Sequence, residues 1–536
     1  MPRLAIPLVL VALAAHAQIS HTRPARAYRI SGTVVNATTG QILSKVAVSI
    51  GPAEGNSEMT VTTAEDGRFT FGKLKSGKYW LEAQGRGFSA QRFDQHEEFS
   101  TGIAVGPGLD SEHLVFRLRP DARITGTITD EANEPVAQAN VMLFRTGVEN
   151  GASTTQMRSQ SNTDDEGSYH FGHVAPGNYY IAVSARPWYA ENQTPIRLRA
   201  AAPAEEPRRE LDVTYPITYY PGATDPASAT PLAVKPGDRL VADIELTAVP
   251  ALHVRMRDSG VDTSQGVGMT ATQQLFGSTP VAVPATFNVI APGEFELSGV
   301  PAGALRLNLQ TWGKNPSTSE EEINVSDDSE IDAPSASTFA SVSGLVQLES
   351  GRAVSDPAFV QLLDRSTNER LPAQISAKGE FAFGSYQVRP GQYQVLVSGV
   401  AQSLVKSLSA TGARVVGHEV EVGPGASVQL KITLSQGVGR VDGTVLRDGQ
   451  ASAGAMIVLV PEDLEHDSDL VRRDQSDSDG TFTLYNVLPG NYTVVAIQNG
   501  WDLPWLSPGV FEPYLKAGEG VKVEPHEKYD MRLNAQ

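Results

Sequence analysis

The sequence predicts an all-β protein built as a tandem array of about five β-sandwich domains. One phrase recurs along the chain: an acidic turn ending in Gly, an alternating aromatic strand, a second turn ending in Gly, and another alternating strand. Such an internal repeat indicates one structural unit copied several times. Gly (49) and Pro (34) are plentiful, as many short strands need many turns, and no long amphipathic helix pattern is present. The clearest copies begin at 66 (DGRFTF), 166 (EGSYHF) and 479 (DGTFTL).

The first seventeen residues predict a secretory signal peptide, 1–17. Arg3 supplies a positive charge, 4–15 is apolar, and Ala-His-Ala at 15–17 is a small-x-small cleavage site. The apolar run is short of a membrane span, and no later segment reaches that length. We therefore expect a secreted or periplasmic (extracytoplasmic) protein without a membrane span, cleaved near Ala17. The chain has no Cys, which excludes disulfides and thiol chemistry and favours a bacterial source.

Each predicted unit opens with a strand that ends in a β-branched–x–Gly triplet. The triplets stand at 30–32 (ISG), 124–126 (ITG), 342–344 (VSG) and 441–443 (VDG). A middle copy keeps the second half of the phrase but lacks this Gly. The predicted domains are 28–120, 121–250 with an irregular insertion at 188–238, a degenerate unit at 251–338, then 339–437 and 438–536.

The acidic turns and the strands after them make a prediction about turns and core. Gly67, Gly167, Gly379 and Gly480 are expected in tight hairpins, where Gly tolerates positive φ without a Cβ clash. The strand after each turn alternates with period two, so both of its large side chains face the core. Several such short strands per hundred residues, with turns between them, are typical of a two-sheet sandwich.

These residues carry a resemblance to a known family. The Gly-Thr opening, the Asp-Gly-x-Phe turn and the Pro-Gly-x-Tyr run resemble carboxypeptidase regulatory-like domains, which belong to the transthyretin-like and carbohydrate-binding-like group. The resemblance implies prealbumin-like (Ig-like) sandwiches. It is nearly silent on function, because these glycines and aromatics build turns and core.

Charge limits the partners that we expect. The formal net charge is −18, and such a surface repels nucleic acid and anionic membranes. The expected function is an exported, non-catalytic spacer and binding scaffold. Its expected partners are a glycan or cell-envelope polymer and other envelope proteins; no nucleic acid, cofactor or metal is predicted.

A zinc carboxypeptidase is a remote alternative. His418 and Glu421 have the His-x-x-Glu spacing of such metal sites, and His526 lies downstream. The segment 417–423 has the pattern of a strand, and side chains three apart on a strand point to opposite faces. A separate catalytic domain is also missing from the pattern. We therefore predict no enzymatic activity.

Carbohydrate binding through rim aromatics is the main alternative. Aromatic rings pack on the C–H faces of sugars, and Trp188 and Trp501 each follow their repeat Tyr by nine residues, with Trp312 in a similar loop. Trp501, Trp505 and Tyr514 crowd into one stretch of the last unit. These three are the predicted glycan-binding residues, unless they pack against a neighbouring domain.

Overall fold

The computed structural model describes residues 27–536 except 150, 192–208, 258–265, 278, 292, 313–316, 333–336, 355–357, 365–368, 385–386, 401–403, 465–466 and 508. The predicted signal peptide lies outside the described residues. The chain folds almost entirely into β-strands, which confirms the all-β prediction, and five groups of strands each enclose an apolar core. We call these groups sandwiches 1 to 5.

Sandwiches 1 and 2 contain the first nineteen strands. The strands of sandwich 1 are β1 (Tyr28–Asn36), β2 (Ala47–Pro52), β3 (Met59–Thr62), β4 (Arg68–Leu74), β5 (Gly77–Gly85), β6 (Phe88–Arg92), β7 (Ile103–Val105) and β8 (Leu114–Leu118). Those of sandwich 2 are β9 (Ala122–Thr129), β10 (Asn140–Glu149), β11 (Ala152–Asn162), β12 (Ser168–Val174), β13 (Gly177–Ser184), β14 (Val213–Thr214), β15 (Thr218–Tyr219), β16 (Leu232–Val234), β17 (Arg239–Val241), β18 (Ile244–Glu245) and β19 (Val249–Pro250).

Sandwiches 3 and 4 follow. The strands of sandwich 3 are β20 (Leu252–Arg257), β21 (Val267–Leu275), β22 (Thr279–Ala282), β23 (Thr286–Ala291), β24 (Glu294–Val300), β25 (Gly303–Thr311), β26 (Ser317–Val325), β27 (Ser329–Asp332) and β28 (Ser337–Thr338). Those of sandwich 4 are β29 (Ser341–Leu348), β30 (Phe359–Asp364), β31 (Arg370–Gln374), β32 (Glu380–Ala382), β33 (Gly391–Ser398), β34 (Leu404–Thr411), β35 (Arg414–Val416), β36 (Glu419–Val422) and β37 (Ser427–Ser435).

Sandwich 5 ends the chain and carries the α-helix of the described part, α1 (Glu512–Leu515). Its strands are β38 (Gly439–Arg447), β39 (Gln450–Ala451), β40 (Met456–Pro461), β41 (Arg472–Gln475), β42 (Thr481–Val487), β43 (Gly490–Ile497), β44 (Glu519–Val523) and β45 (Lys528–Asn534). Short 3₁₀ turns lie at Arg209–Leu211, Pro226–Ser228, Ser468–Leu470 and Gly500–Asp502. No helix within the described ranges is long and apolar enough to cross a bilayer.

All five sandwiches share one strand arrangement. The first strand pairs antiparallel with the aromatic strand and parallel with a late strand of its unit, as β1 pairs with β4 and β8, and β38 with β42 and β45. The parallel pairing explains the Gly of the triplets. A Cβ on Gly32 would lie 2.3 Å from the Leu114 carbonyl oxygen, and one on Gly344 would lie 2.1 Å from that of Leu430. Gly is required there for close approach of the backbones.

The acidic turns are partly as predicted. Gly67, Gly167, Gly379 and Gly480 have φ of 67°, 72°, 85° and 78°, so positive φ is confirmed. The hairpin is wrong: Gly67 lies between β3, in the sheet β3-β2-β5-β6, and β4, in the sheet β4-β1-β8. The turn crosses from one sheet to the other, which delivers the aromatic strand to the first strand. The predicted burial is confirmed, with Phe69 3% and Phe482 1% exposed.

The repeated Tyr has a structural role in four of the sandwiches. The hydroxyls of Tyr79, Tyr179, Tyr393 and Tyr492 each donate to the carbonyl four residues earlier, at 2.8–3.1 Å. Burial raises the pKa of Tyr492 to about 12, so the phenol remains a donor at neutral pH. Each hydrogen bond closes the second Gly turn of its unit, because a buried hydroxyl needs a partner.

The sandwiches contact one another in sequence. Between sandwiches 2 and 3, Phe276 packs its ring against Phe144, Tyr180 and Tyr219. Arg389 of sandwich 4 pairs with Glu320 of sandwich 3, and sandwich 5 contacts sandwich 4. Sandwich 5 also contacts sandwich 1, so the array closes on itself.

Candidate functional site

The three predicted glycan-binding residues lie together on the outer face of sandwich 5. They belong to one apolar cluster on the sheet of β40 and β43, together with Phe511. Trp501 is 7% exposed. Its ring stacks on His96 of sandwich 1 at 5.1 Å between centroids and 7° between planes, and its Nε1 donates to the Gly454 carbonyl at 3.2 Å. This arrangement leaves no face of Trp501 open to a sugar.

Trp505 and Tyr514 are half-buried in the same cluster. The guanidinium of Arg473 lies 4.7 Å from the centre of the Trp505 ring. Next to Trp505, the Leu506 N–H donates to the Gly151 carbonyl of sandwich 2 at 2.7 Å. The rings therefore contribute to packing where sandwiches 5, 1 and 2 meet. This is the neighbouring-domain contact that would remove the predicted sugar site.

The docking of sandwich 5 on sandwich 1 is centred on the last acidic turn. Asp477 pairs with Lys78 at 2.5 Å and accepts from the Gly102 N–H at 2.8 Å. The Ser478 hydroxyl accepts from the Ala104 N–H at 2.9 Å. A Cβ on Gly102 would lie 2.6 Å from a carboxylate oxygen of Asp477. We call these contacts, with those of β41 described next, the 1–5 junction.

Strand β41 adds a second set of contacts to the 1–5 junction. The Gln475 amide nitrogen donates to the Asp94 carbonyl at 2.6 Å and to the Thr101 hydroxyl at 2.8 Å. Arg473 pairs with Glu97 at 2.7 Å. The side chain of Arg473 is only 8% exposed. The Gln475 amide and one Arg473 nitrogen of sandwich 5 thus find partners on sandwich 1, whereas Arg473 Nη1 has no hydrogen-bond partner.

Burial shifts two carboxyl groups of this region. It raises the pKa of Asp477, while the Lys78 ammonium opposes the increase. Burial also raises the pKa of Asp474 to about 6, although the Thr483 and Gln475 N–H groups counteract it and Asp477 adds to it. The Asp474 carboxylate accepts from the Thr483 N–H at 2.7 Å, inside sandwich 5. Protonation of these groups is therefore coupled to the state of the junction.

The residues with zinc-like spacing lie apart. His418 Nδ1 donates to the Asp469 carboxylate of sandwich 5 at 2.5 Å. Glu421 is exposed and faces Arg414 at 4.0 Å. His418 and Glu421 contact different residues and are not arranged as ligands of one metal ion. His526 lies in a turn with φ of 62°, and no group of three or more metal-ligating side chains occurs in the described part of the chain.

A polar bridge holds sandwiches 1 and 2 together. Asp121 accepts from the backbone N–H and the hydroxyl of Ser89 at 2.9 and 2.7 Å. Its other oxygen lies 2.6 Å from His173 Nδ1. The Asp121 N–H donates to the Gly87 carbonyl at 3.0 Å. Both carboxylate oxygens are thus used in the bridge.

Beside this bridge lies a cleft of about 590 Å³. We call it the Arg cleft; its charged and titratable lining residues are Arg86, Asp121, Arg123, His173 and Arg239. Arg86 comes from the turn between β5 and β6, and Arg123 and Arg239 come from neighbouring strands of sandwich 2. All three arginines are exposed. A second cleft of about 530 Å³ shares His173, and its lining also includes Glu97, Glu98, Arg145 and Arg158.

Family models match three segments of the chain. The model for the carboxypeptidase regulatory-like domain matches residues 29–119 and 123–214. These two segments are carboxypeptidase regulatory-like domains. Residues 439–507 match the second β-sandwich domain of BOS complex subunit NOMO1-like proteins. No curated protein matches the chain.

Several solved structures match parts of the chain at low identity and low TM-score. The minor pilin of Streptococcus agalactiae shares 13% identity over 42% of this chain and 97% of its own, with a TM-score of 0.20. The Bacillus anthracis TIE protein shares 11% over 95% and 74%, with a TM-score of 0.17. The major pilin subunit of Bacillus cereus shares 8% over 77% and 100%, with a TM-score of 0.16. Likeness at this level carries no conclusion about function.

Sequence reasoning missed two features of the regulatory-like domains. The Arg cleft lies between them, and its arginines come from positions 86, 123 and 239, too far apart for any local pattern. The 1–5 junction joins the first of these domains to sandwich 5 through residues about 375 positions apart. The turn containing Asp477 has the appearance of an ordinary acidic turn, so nothing local in it predicts docking.

Proposed function

We propose that the protein is an exported, non-catalytic scaffold of five β-sandwich domains, with the boundaries expected from the sequence. Its end domains dock, so that its binding surfaces are held in a fixed arrangement. The 1–5 junction is the observation that carries this proposal. A flexible spacer has no need for two matched, largely buried polar surfaces at its opposite ends.

Close approach across the 1–5 junction supports a specific interface. A Cβ on Gly454 would lie 2.5 Å from an Asp94 carboxylate oxygen, as one on Gly102 would from Asp477. Glycine therefore stands on both surfaces where the opposite chain comes nearest. Directional, charge-assisted hydrogen bonds across the junction fix the relative orientation of the two sandwiches.

We propose that the protein is not a catalyst because its candidate polar groups are not arranged as a catalytic site. His418 and Glu421 face different partners, and the polar groups of the 1–5 junction are bonded to one another. We expect the purified protein, supplied with zinc, to release no C-terminal residues from test peptides. Release that is abolished by His418→Ala would contradict the proposal.

The closed arrangement can be tested directly because the chain has no Cys. Spin labels on Glu65→Cys and Arg447→Cys, both at exposed positions, report the distance between sandwiches 1 and 5. We expect one narrow distance distribution, which broadens when Asp477→Ala and Arg473→Ala are combined. The matched control is Asp479→Ala, a change in the same turn, made in the chain that carries both labelled positions; it should leave the distance distribution narrow. A broad distribution in the unaltered chain would show a flexible string instead.

Carbohydrate binding is a second candidate, favoured by an exposed aromatic pair on sandwich 2. Trp188 is 83% exposed and meets Tyr189 edge-on at 5.8 Å. The Tyr189 hydroxyl donates to Glu131 at 2.6 Å. An open indole face beside an acid suits a neutral or cationic glycan. The test is a glycan array with the unaltered protein, Trp188→Ala and the control Trp312→Ala; loss in Trp188→Ala alone supports this site.

The glycan site predicted from the sequence on sandwich 5 can be tested with the same glycan array. A glycan could reach Trp501, Trp505 and Tyr514 only after sandwich 1, which carries His96, moves away from sandwich 5. Binding that appears only when the 1–5 junction is broken would assign sugar recognition to these three residues. Binding that is unaffected by Trp188→Ala and by Trp501→Ala would remove both aromatic sites.

A further inference from the structure

The Arg cleft brings together three exposed arginines, Arg86, Arg123 and Arg239, in one cavity of this acidic protein. The chain has 43 Lys and Arg against 61 Asp and Glu. Elsewhere, exposed arginines such as Arg257 and Arg389 pair with carboxylates. Among the described residues, no carboxylate lies within ion-pair distance of the guanidinium groups of Arg86, Arg123 or Arg239. Other exposed arginines, such as Arg532, also have no such partner among the described residues; the cleft differs because three of them line one cavity.

Two of these arginines stand directly beside each other. Arg239 of β17 and Arg123 of β9 are register partners in the parallel ladder. Like charges opposite each other on neighbouring strands destabilise a sheet. The Arg123 N–H donates to the Asp238 carbonyl at 2.8 Å, which fixes the backbone that brings the pair together. The fold thus keeps a repulsive pair at a cleft.

The carboxylate in the cleft does not neutralise them. Both oxygens of Asp121 are engaged by Ser89 and His173. Three guanidinium charges therefore face one carboxylate that is already bonded. The neighbouring cleft, by contrast, includes Glu97 and Glu98 beside Arg145 and Arg158.

We propose that the Arg cleft binds a phosphate ester of the size of a sugar phosphate. Guanidinium groups donate paired N–H bonds to phosphate oxygens, and a dianion would offset most of the three positive charges. A volume of about 590 Å³ accommodates the phosphate together with an organic body. The site lies between sandwiches 1 and 2, so it is independent of the docking of sandwich 5.

The test is calorimetric titration at fixed ionic strength with glucose 1-phosphate, glucuronate and glucose. We expect glucose 1-phosphate to bind, glucuronate to bind more weakly and glucose not to bind. Arg123→Gln and Arg239→Gln should each weaken glucose 1-phosphate binding by about tenfold, the size of one charge-assisted contact. Arg532→Gln is the matched control, because Arg532 is exposed on β45 and its register partner is Thr444.

Thermal unfolding separates a binding role from a structural one. Without ligand, Arg239→Gln should unfold at the same or a higher temperature, because a repulsive pair has been removed. With glucose 1-phosphate, the unaltered protein should gain more stability than this variant. Equal binding of glucose 1-phosphate by the unaltered protein and both variants would overturn the proposal. So would the absence of binding at about 10 mM glucose 1-phosphate, a concentration that would detect even a millimolar Kd. Equal affinity for glucuronate would overturn the assignment to phosphate.

Discussion

Two junctions hold neighbouring sandwiches by opposite means. Between sandwiches 2 and 3, the centre of the Phe276 ring lies 5.0 Å from the ring centre of Phe144, 4.9 Å from that of Tyr180 and 5.7 Å from that of Tyr219. The 1–5 junction instead relies on ion pairs and hydrogen bonds around Asp477. An aromatic contact contains no carboxylate and is insensitive to the protonation of one, whereas a polar junction with buried carboxylates responds to pH.

The difference suits the positions of the two junctions in the chain. Sandwiches 2 and 3 are consecutive, so their encounter is local, and aromatic packing joins them together with the His253–Asp212 ion pair. Sandwiches 1 and 5 meet only after the chain closes, and wrong pairings among similar repeats must be avoided. Directional polar contacts provide that selectivity, because a mismatched sandwich would leave buried groups such as Gln475 unpaired.

The largest effect is expected at the apolar junction. Phe276→Ala should lower the free energy of unfolding of sandwiches 2 and 3 by about 2–4 kcal/mol, somewhat less than for a fully buried phenylalanine. The loss should be the same at pH 5 and pH 8, since the contact is between aromatic rings. His253, which pairs with Asp212 elsewhere between these two sandwiches, has a pKa raised to about 9, chiefly by its hydrogen bond with Glu296, and stays charged in this range. Urea unfolding with Phe359→Ala, a 37% exposed ring, as control would measure it. A strong pH dependence would contradict the contrast.

The polar junction should be weaker and its energy should be shared. Asp477→Ala is expected to cost about 1–3 kcal/mol, below the value for a fully buried pair because Lys78 is 35% exposed. A double-mutant cycle with Lys78→Met should show coupling, and one with the exposed Lys75→Met should show none. Independent, additive effects of Asp477 and Lys78 would mean that their contact does not hold the junction.

Local patterns predicted the interior of each sandwich well. Period-two alternation correctly placed Phe69 and Phe482 in the cores, and the acidic-turn Gly predicted positive φ, because both depend on neighbouring residues. The hairpin was predicted wrongly because the sheet that a strand joins depends on distant partners. For the same reason the triplets could be seen in the sequence, but not the parallel strand that requires Gly32 to lack a side chain.

The candidate sites were less predictable. Trp501 was selected for its type and spacing, yet its environment is set by His96, some 400 residues earlier. Similarly, Arg123 and Arg239 become neighbours only through the ladder between β9 and β17. Contacts between repeats depend on how whole domains dock, and one sequence contains no local pattern that encodes that geometry.

A smaller effect is expected from pH on sandwich 5, through Asp474. The pKa of Asp474, raised to about 6, lies above its ordinary value, so its contribution to stability is present below pH 4 and is lost as pH rises through 6. Asp474→Asn should therefore stabilise sandwich 5 by about 1–2 kcal/mol at pH 8, because it removes a carboxylate whose pKa burial raises to about 6 in a site that solvent partly screens. The gain should vanish at pH 4. Thermal unfolding at both values tests this; a gain independent of pH would rule out titration of Asp474 as its cause.

The smallest effect on stability is expected at a third junction, the contact between sandwiches 4 and 5. Sandwich 4 meets sandwich 5 through His418 and Asp469, whose side chains are 18% and 28% exposed. The hydrogen bond with Asp469 raises the pKa of His418 above 6.5, although burial opposes it. The contribution of His418 is thus complete below pH 6.5 and is lost as pH rises through the raised pKa.

His418→Gln should therefore cost about 0.5–1 kcal/mol near pH 6, as one partly solvated pair, and almost nothing at pH 9. The effect should also decline in acid, because the pKa of Asp469 is lowered, in part by His418, and its stabilisation is lost as pH falls through that value. Sandwich 5, through the raised pKa of Asp474, should gain rather than lose stability over the acid part of this range. Spin labels on sandwiches 4 and 5 would follow the 4–5 contact, and labels on sandwiches 1 and 5 would follow the 1–5 junction. A cost of His418→Gln that is equal at pH 4, 6 and 9 would show that the histidine contributes only its shape, and the 4–5 contact would then belong with the apolar junction.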